Sequence, residues 1–198
     1  MNNYFCFARL QVEGQKLVAK AKQKKTSDPT RLNSFDRKKP GVVIAVIETP
    51  GGSRNKFKYD EKLGFYSLSG VLPEGMVFPH AFGFVPGTRA ADGDPEDVLI
   101  LMDEPTFTGC VVPTRLIGVM EAEQTEDGKT ERNDRLIAVA AQSRDYSEVK
   151  GLGDLNSNML KEIEQFFITY NKEKGKKFKV LRMRGPGQAL KMVKKSLL

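Results

Sequence analysis

A chain of 198 residues is long enough for one domain with a substantial buried core. Its 39% hydrophobic and 29% charged residues fit a soluble globular protein, and no apolar run is long enough to cross a bilayer, which argues against a membrane-spanning chain. The net charge of +7 is split: residues 1–41 hold 10 Lys+Arg against 3 Asp+Glu, residues 42–171 hold 12 against 21, and residues 172–198 hold 10 against 1.

An acidic middle suits divalent cations, whereas basic ends suit an anionic surface, nucleic acid or simply solvent. Cys6 and Cys110 are the only cysteines. They make neither a zinc spacing nor a disulfide framework, so a cytoplasmic location is expected. The first ten residues lack the basic start and long apolar core of a signal peptide.

Residues 13–25 predict a short basic helix, and Thr26 to Pro40 a polar linker. Residues 1–40 are therefore set apart as a basic N-terminal extension, and residues 41–198 as the folded domain. Val42–Ile47 is a β-branched run ended by Pro50 and the Gly51-Gly52 turn, and predicts a strand. Asn55–Tyr59 and Gly64–Leu68 predict the next two strands. Phe78 to Pro86 is aromatic, and its glycine and prolines suggest tight packing beside a site.

Ala91 to Met102 is the most informative stretch. Asp92, Asp94 and Asp97 lie within six residues, Gly93 and Pro95 bend the chain among them, and Val98–Met102 follows as a buried strand. Three carboxylates thus sit where a stiff strand meets a turn. Magnesium favours oxygen ligands at about 2.0–2.1 Å in octahedral geometry. Two such ions roughly 3.5–4 Å apart can clamp both sides of a displacement at phosphorus. Asp, Gly and Pro also make ordinary turns, and clustered aspartates occur in calcium loops and nucleotide-sugar enzymes.

Val111–Met120 and Leu136–Ala140 predict further strands, with a polar hairpin, Glu121 to Asp134, between them. In Asn158–Asn171, Met159, Leu160, Ile163, Phe166, Phe167 and Tyr170 recur at helical spacing. Lys177–Met183 predicts a strand, Gly185-Pro186-Gly187 a break, and Gln188–Leu197 a terminal helix. Many short strands followed by late helices predict a mainly β, α+β fold: a small barrel with helices packed outside.

Asp92-Gly93-Asp94-Pro95-Glu96-Asp97-Val98 resembles the D-x-D-P-x-D-apolar signature of the soluble, magnesium-dependent inorganic pyrophosphatases. Glu48-Thr49-Pro50, Lys58-Tyr59-Asp60, Phe78 to Pro86, Asp134 to Val139 and Phe166 to Lys176 are similar to that family in order and spacing, over about residues 42–195. The resemblance implies a five-stranded OB-like barrel, a homo-oligomer, and Mg²⁺-dependent hydrolysis of pyrophosphate by a metal-activated water. By position it implies metal ligands at Asp92, Asp97, Glu48 and Asp60. It implies Asp94 beside the attacking water, and phosphate contacts at Lys58, Arg135 and Tyr170, with Lys172 nearby.

Several family positions are changed. Gly70 stands where a phosphate-binding arginine is usual, Phe78 and Phe82 replace tyrosines, and Asp60 replaces a glutamate. Counted without gaps, two metal-binding aspartates of the hairpin become Gln124 and Asn133, and its lysine becomes Arg135. Only a one-residue slip would bring Glu123 or Asp134 in as metal ligands. A slip reverses the facing of a strand, so it would need a bulge. The expected function is inorganic diphosphatase; the alternative is a catalytically impaired relative that binds metal and pyrophosphate or a phosphorylated partner. A nucleic-acid-binding OB fold fits less well, because the aromatics cluster beside acids and the basic charge lies at the ends.

Overall fold

A computed structural model describes residues 28–198. The basic helix predicted at 13–25 lies outside them. Among the described residues nine strands form: β1 (Val43–Thr49), β2 (Asn55–Asp60), β3 (Phe65–Val71), β4 (Ala81–Val85), β5 (Glu96–Leu101), β6 (Val111–Glu126), β7 (Lys129–Arg132), β8 (Arg135–Ala140) and β9 (Lys177–Arg184). Helix α1 (Ser157–Lys172) precedes β9 and α2 (Pro186–Lys195) follows it.

Five strands close on themselves in the order β1-β4-β5-β8-β6, with β6 returning to β1. Only β5–β8 is parallel. This is the five-stranded OB-like barrel expected. Beyond the barrel, the far half of β6 pairs with β7 and β9, and β2–β3 stands as a separate hairpin. Closure leaves the barrel strands no free edge.

Strand periodicity feeds two cores. One takes Val43, Ala45 and Ile47 of β1, Val98 and Ile100 of β5, and Leu136 and Ala138 of β8, and is covered by Ala189 and Val193 of α2. The other takes the alternate residues Leu99 and Leu101 of β5 and Ile137 and Val139 of β8, and meets Ile163, Phe167 and Tyr170 of α1. Asp97 and Arg135 share the parity of the second core, which brings both toward the end of α1.

Four elements differ from expectation. Phe78–Pro86 contains a full strand, β4, all of it buried. Prolines at both ends and a central glycine mask it. The polar hairpin is largely strand: β6 runs to Glu126 and β7 to Arg132, around a turn at Asp127 and Gly128. Gly185-Pro186-Gly187 opens α2, because proline suits the first helical position. Within the stretch read as linker, Ser34 is buried with its hydroxyl donating to Pro86 O at 2.6 Å, and Phe35 bridges to Val43.

Gly83 marks the tightest approach in the barrel. A Cβ there would lie 1.9 Å from Val46 O across the β1–β4 pair, and backbone in a closed barrel has no room to yield. Gly83→Ala is therefore expected to cost about 3 kcal/mol, the upper part of the range for overpacking. Chemical denaturation checks this; Gly70→Ala, whose added Cβ meets nothing within 4 Å, is the control.

Candidate active site

The candidate site is a cavity of about 210 Å³ at the rim of the barrel, beside the C-terminal end of α1. Of the residues proposed from sequence, Glu48, Lys58, Asp92, Asp94, Asp97, Arg135 and Tyr170 all line it. They come from the rim ends of β1, β5 and β8, from β2, from the β4–β5 loop and from α1. A larger hollow of about 730 Å³ lies between residues 28–37 and the C-terminal Leu197-Leu198, and none of the proposed residues lines it.

Local structure explains each placement. Glu48 is the extra residue of a β-bulge: Ile47 pairs with Gly83 and Thr49 with Phe82. A bulge re-aims a side chain, and here the Glu48 carboxylate accepts from Tyr59 N at 2.8 Å. That bond, with Phe57 N donating to Thr49 Oγ1 at 3.1 Å, docks β2 on the barrel. Alternation along β2 then directs Lys56 and Lys58 into the cavity.

In the aspartate loop, Gly93 adopts φ 90°, and Asp94 N donates to Asp92 Oδ1 at 3.1 Å. Ala90 N closes the loop on Asp94 O at 2.7 Å. In the parallel pair Val98 stands opposite Leu136, so Asp97 and Arg135, one residue earlier on each strand, stand side by side. Their Nη1···Oδ2 distance is 2.6 Å.

The cavity sets Glu48, Asp92, Asp94 and Asp97 against Lys56, Lys58, Arg135 and Lys174, with Lys176 at its edge paired to Glu126 outside it. Lys58 Nζ lies 2.7 Å from Asp94 Oδ2. Burial pulls the Lys58 ammonium down, but the bond to Asp94 and the charges of Asp94, Glu48 and Asp97 outweigh it, and its pKa is raised. Burial pushes the Glu48 carboxyl up to about 7, and nearby Asp97 adds to this against the Tyr59 N–H. Burial likewise raises Asp97, with the Arg135 guanidinium pulling the other way. Arg135 rests among Phe82, Phe167 and Phe178, with its guanidinium carbon 5.7, 5.6 and 6.0 Å from the ring centres. This is a cation–π cage that fixes its orientation.

Four proposed site residues lie outside this cavity. Asp60 turns away to cap the β2–β3 turn, accepting from Lys62 N and Leu63 N at 2.9 and 3.0 Å. Asp134 accepts from Ala122 N at 2.8 Å, pairs with Arg132 at 2.9 Å, and lines an adjoining hollow of about 610 Å³ that Asp92 and Asp97 also line. Glu123 alternates with the cavity-lining Gln124 and so faces the other way. Lys172 is exposed and outside the cavity. No register slip rescues the hairpin acids: Gln124 and Asn133 line the cavity, and Asn133 Nδ2 donates to Gln124 Oε1 at 2.7 Å. Arg135 Nη1 donates to Asn133 Oδ1.

Lys56 and Lys174 line the cavity without having been proposed. Their ammonium groups lie 5.6 and 4.6 Å from the centre of the Tyr170 ring. Lys56 sits two residues before Lys58 on the same strand face, a signal present in the sequence. Lys174 lies past the helix end, where no periodicity marks it. Tyr170 Oη and Arg135 Nε are buried without partners among the described residues, two polar groups able to take phosphate oxygens. Phe78 and Phe82 pack in the aromatic wall, 6.0 Å apart, and Phe78 is 5.6 Å from Tyr170; hydroxyls there would need partners.

Glu48, Asp92, Asp94 and Asp97 offer only hard oxygen donors, the donor chemistry that magnesium favours. Among the described residues no three acid, His or Cys side chains are drawn together into a metal centre, and two of the four carboxylates are engaged by Lys58 and Arg135. The donor set fits a hard divalent ion, without a preformed cage.

The rim cavity of this OB-like barrel sets hard oxygen donors against cationic side chains, a pattern suited to holding a divalent ion together with a phosphate group. The inorganic pyrophosphatase family model matches residues 45–198. The inorganic pyrophosphatase of Nostoc sp. is 38% identical over 159 residues, 80% of this chain and 92% of that one. Soluble inorganic pyrophosphatase 2 of Chlamydomonas reinhardtii is 40% identical over 158 residues, 80% of each chain. The crystal structure of inorganic pyrophosphatase from Thermus thermophilus superimposes with a TM-score of 0.78 at 35% identity, covering 86% of this chain and 97% of that one. The chain belongs to the inorganic pyrophosphatase family.

Restoring charge to the hairpin should strengthen metal binding. The double variant Gln124→Glu/Asn133→Asp adds two carboxylates facing Asp97, and its Mg²⁺ affinity is expected to rise by about tenfold or more, since affinity follows ligand charge count. Calorimetric titration with MgCl₂ reads this directly. Without Mg²⁺ the variant should melt at a lower temperature than the unaltered chain, because the new acids have no counter-charge.

Proposed function

We propose that this chain hydrolyses inorganic pyrophosphate to two phosphates in the rim cavity. The observation that carries the proposal is the convergence there of Glu48, Asp92, Asp94 and Asp97 with Lys56, Lys58, Arg135 and Tyr170. Its membership of the family, over residues 45–198, supports the same substrate.

In this scheme Asp92, Asp97 and Glu48 would hold Mg²⁺, which would supply Lewis acidity and lower the pKa of a water at neutral pH. Asp94, in the loop before β5, is the carboxylate placed to take a proton from the attacking water. Lys56, Lys58, Arg135 and the Tyr170 hydroxyl hold phosphate oxygens and offset charge on the departing phosphate. The Phe82 and Phe167 rings back Arg135 and keep that side of the cavity dry. The Gln124–Asn133 amide pair favours weaker metal binding on the hairpin side than two aspartates would give. With Gly70 in place of an arginine, it favours the second reading, a relative that binds pyrophosphate with impaired turnover.

We further infer a homo-oligomer, supported by Phe65, Leu68 and Val71 exposed on the β2–β3 hairpin. We infer a cytoplasmic location from the cysteine usage. Among the described residues, no helix is long and apolar enough to cross a membrane.

Phosphate release from pyrophosphate at saturating Mg²⁺ tests the activity. The intact chain is expected to turn over, and Asp94→Asn to lose activity by about 10²-fold or more, the scale of removing a general base. If the intact chain releases no phosphate while Mg²⁺ and pyrophosphate together raise its melting temperature, the binding-only reading holds instead.

A further inference from the structure

Two cations of the cavity stand without a counter-charge. Lys56 and Lys174 both line it, and among the described residues neither makes an ion pair. Both meet one ring: their Nζ atoms lie 5.6 and 4.6 Å from the centre of Tyr170. A single lysine gains from a tyrosine ring, but two like charges on the same ring also repel each other. The Tyr170 hydroxyl is buried with no hydrogen-bond partner among the described residues, a cost to the fold unless something supplies one. An anion with several oxygens would answer both ammonium groups and the hydroxyl at once.

Backbone geometry brings each lysine there. Lys56 stands opposite Gly70 in the β2–β3 pair. Both line a further hollow of about 360 Å³, which shares Lys56, Tyr170 and Lys174 with the cavity. Directly opposed residues point to one face with Cβ atoms about 4.5–5.5 Å apart, so a side chain at position 70 would reach the space that Lys56 reaches. Glycine leaves that space empty: a Cβ on Gly70 meets nothing within 4 Å. At the end of α1, Asn171 brings no charge and turns its amide back to donate to Phe167 O at 2.8 Å. Gly175, at φ 72°, then folds the chain over, with Gly175 N donating to Lys172 O and Lys176 N to Asn171 O, each at 2.9 Å. This left-handed helix stop returns Lys174 to the Tyr170 ring.

We propose that Lys56 and Lys174 clamp one phosphate of the diphosphate at the Tyr170 hydroxyl, and that Lys56 delivers from β2 a charge that the facing position on β3, Gly70, does not. The inference deepens the function proposed above and rests on pyrophosphate entering the rim cavity. What the clamp requires is a positive charge in that space. The strand that carries the charge is exchangeable, because positions 56 and 70 open onto the same hollow.

The test moves the charge from one strand to the other. Phosphate release from pyrophosphate at saturating Mg²⁺ is measured for the intact chain, Lys56→Met, Lys174→Met, Lys56→Met/Gly70→Arg and Lys56→Met/Gly70→Met. Each single variant should lower kcat/KM by about tenfold to a hundredfold, the scale of losing a hydrogen bond to a charged group. Arginine at position 70 should recover most of the loss in Lys56→Met, and methionine there, which fills the space without charge, should recover none. A purely structural role for Lys56 would not be repaired by a cation on the opposite strand. The same five proteins are titrated calorimetrically with imidodiphosphate, whose bridge is nitrogen, in Mg²⁺, and their affinities should fall in the same order. Unchanged kcat/KM in either single variant, or no recovery with Gly70→Arg, overturns the clamp. If the intact chain releases no phosphate, the proposed activity falls, and the titrations still judge the clamp: equal affinity in the intact chain and Lys56→Met, or no binding by the intact chain, overturns it.

Discussion

Carboxylates crowded onto one rim repel each other, and the organisation of this molecule at its functional end is a set of answers to that repulsion. Each acid that points into the cavity has a specific partner. Asp97 has Arg135, Asp94 has Lys58, Glu48 has the Tyr59 amide, and Asp92 takes the Asp94 amide. Two charges about 4 Å apart at a protein surface interact by about 4 kcal/mol at an effective dielectric constant near 20. Uncompensated, several such repulsions would be comparable with the whole stability of a domain. The partners are therefore part of what lets the acids converge.

The fold supplies those partners through backbone register. Closing five strands into a barrel fixes which residues stand abreast, because slipping any pair by one residue would reverse the facing of an entire strand. The parallel β5–β8 pair, the only one in the barrel, sets Asp97 beside Arg135. The bulge at Glu48 breaks the β1–β4 ladder for one residue and turns an acid inward that regular pleating would have faced elsewhere. Gly83 allows β1 and β4 to cross closely enough for that bulge to sit at the rim. The aromatic cluster of Phe78, Phe82, Phe166, Phe167 and Tyr170 then locks α1 over the same end. The core and the site are thus two faces of one arrangement.

The sequence made the acid loop legible because turn chemistry and buried-strand chemistry adjoin there: Gly93 and Pro95 bend the chain, and Val98 to Leu101 begin the barrel at once. The β-branched β1 and the periodic α1 were legible for the same reason, a pattern tied to one face. The strand inside Phe78–Pro86 was not, since all five of its residues are buried and no alternation remains to be read. The extension of β6 and β7 was hidden by the opposite cause, polar residues on both faces, although Asp127-Gly128 is the turn that such a hairpin uses. In the site, Lys56 could have been found from strand parity with Lys58. The facing of Asp134 could not, because it depends on which backbone amide the carboxylate meets after the strands have paired. Ungapped counting gave Gln124 and Asn133 as the inward positions, and the fold agrees.

The substitutions that set this chain apart are coupled through charge. Two aspartates at Gln124 and Asn133 would face Asp97 and Arg135 across a narrow cavity, and one guanidinium cannot neutralise three carboxylates; only a bound cation could. Two amides remove that requirement, since each offers both a donor and an acceptor. They satisfy one another and leave Asn133 Oδ1 to accept from Arg135. The guanidinium is then held between Asp97 and Asn133 while its face lies on three rings, and one buried Nε remains for an oxygen from outside the protein. On the opposite wall Lys58, where the chain matches the family, meets Asp94 at 2.7 Å, so the change in acid charge is confined to the hairpin.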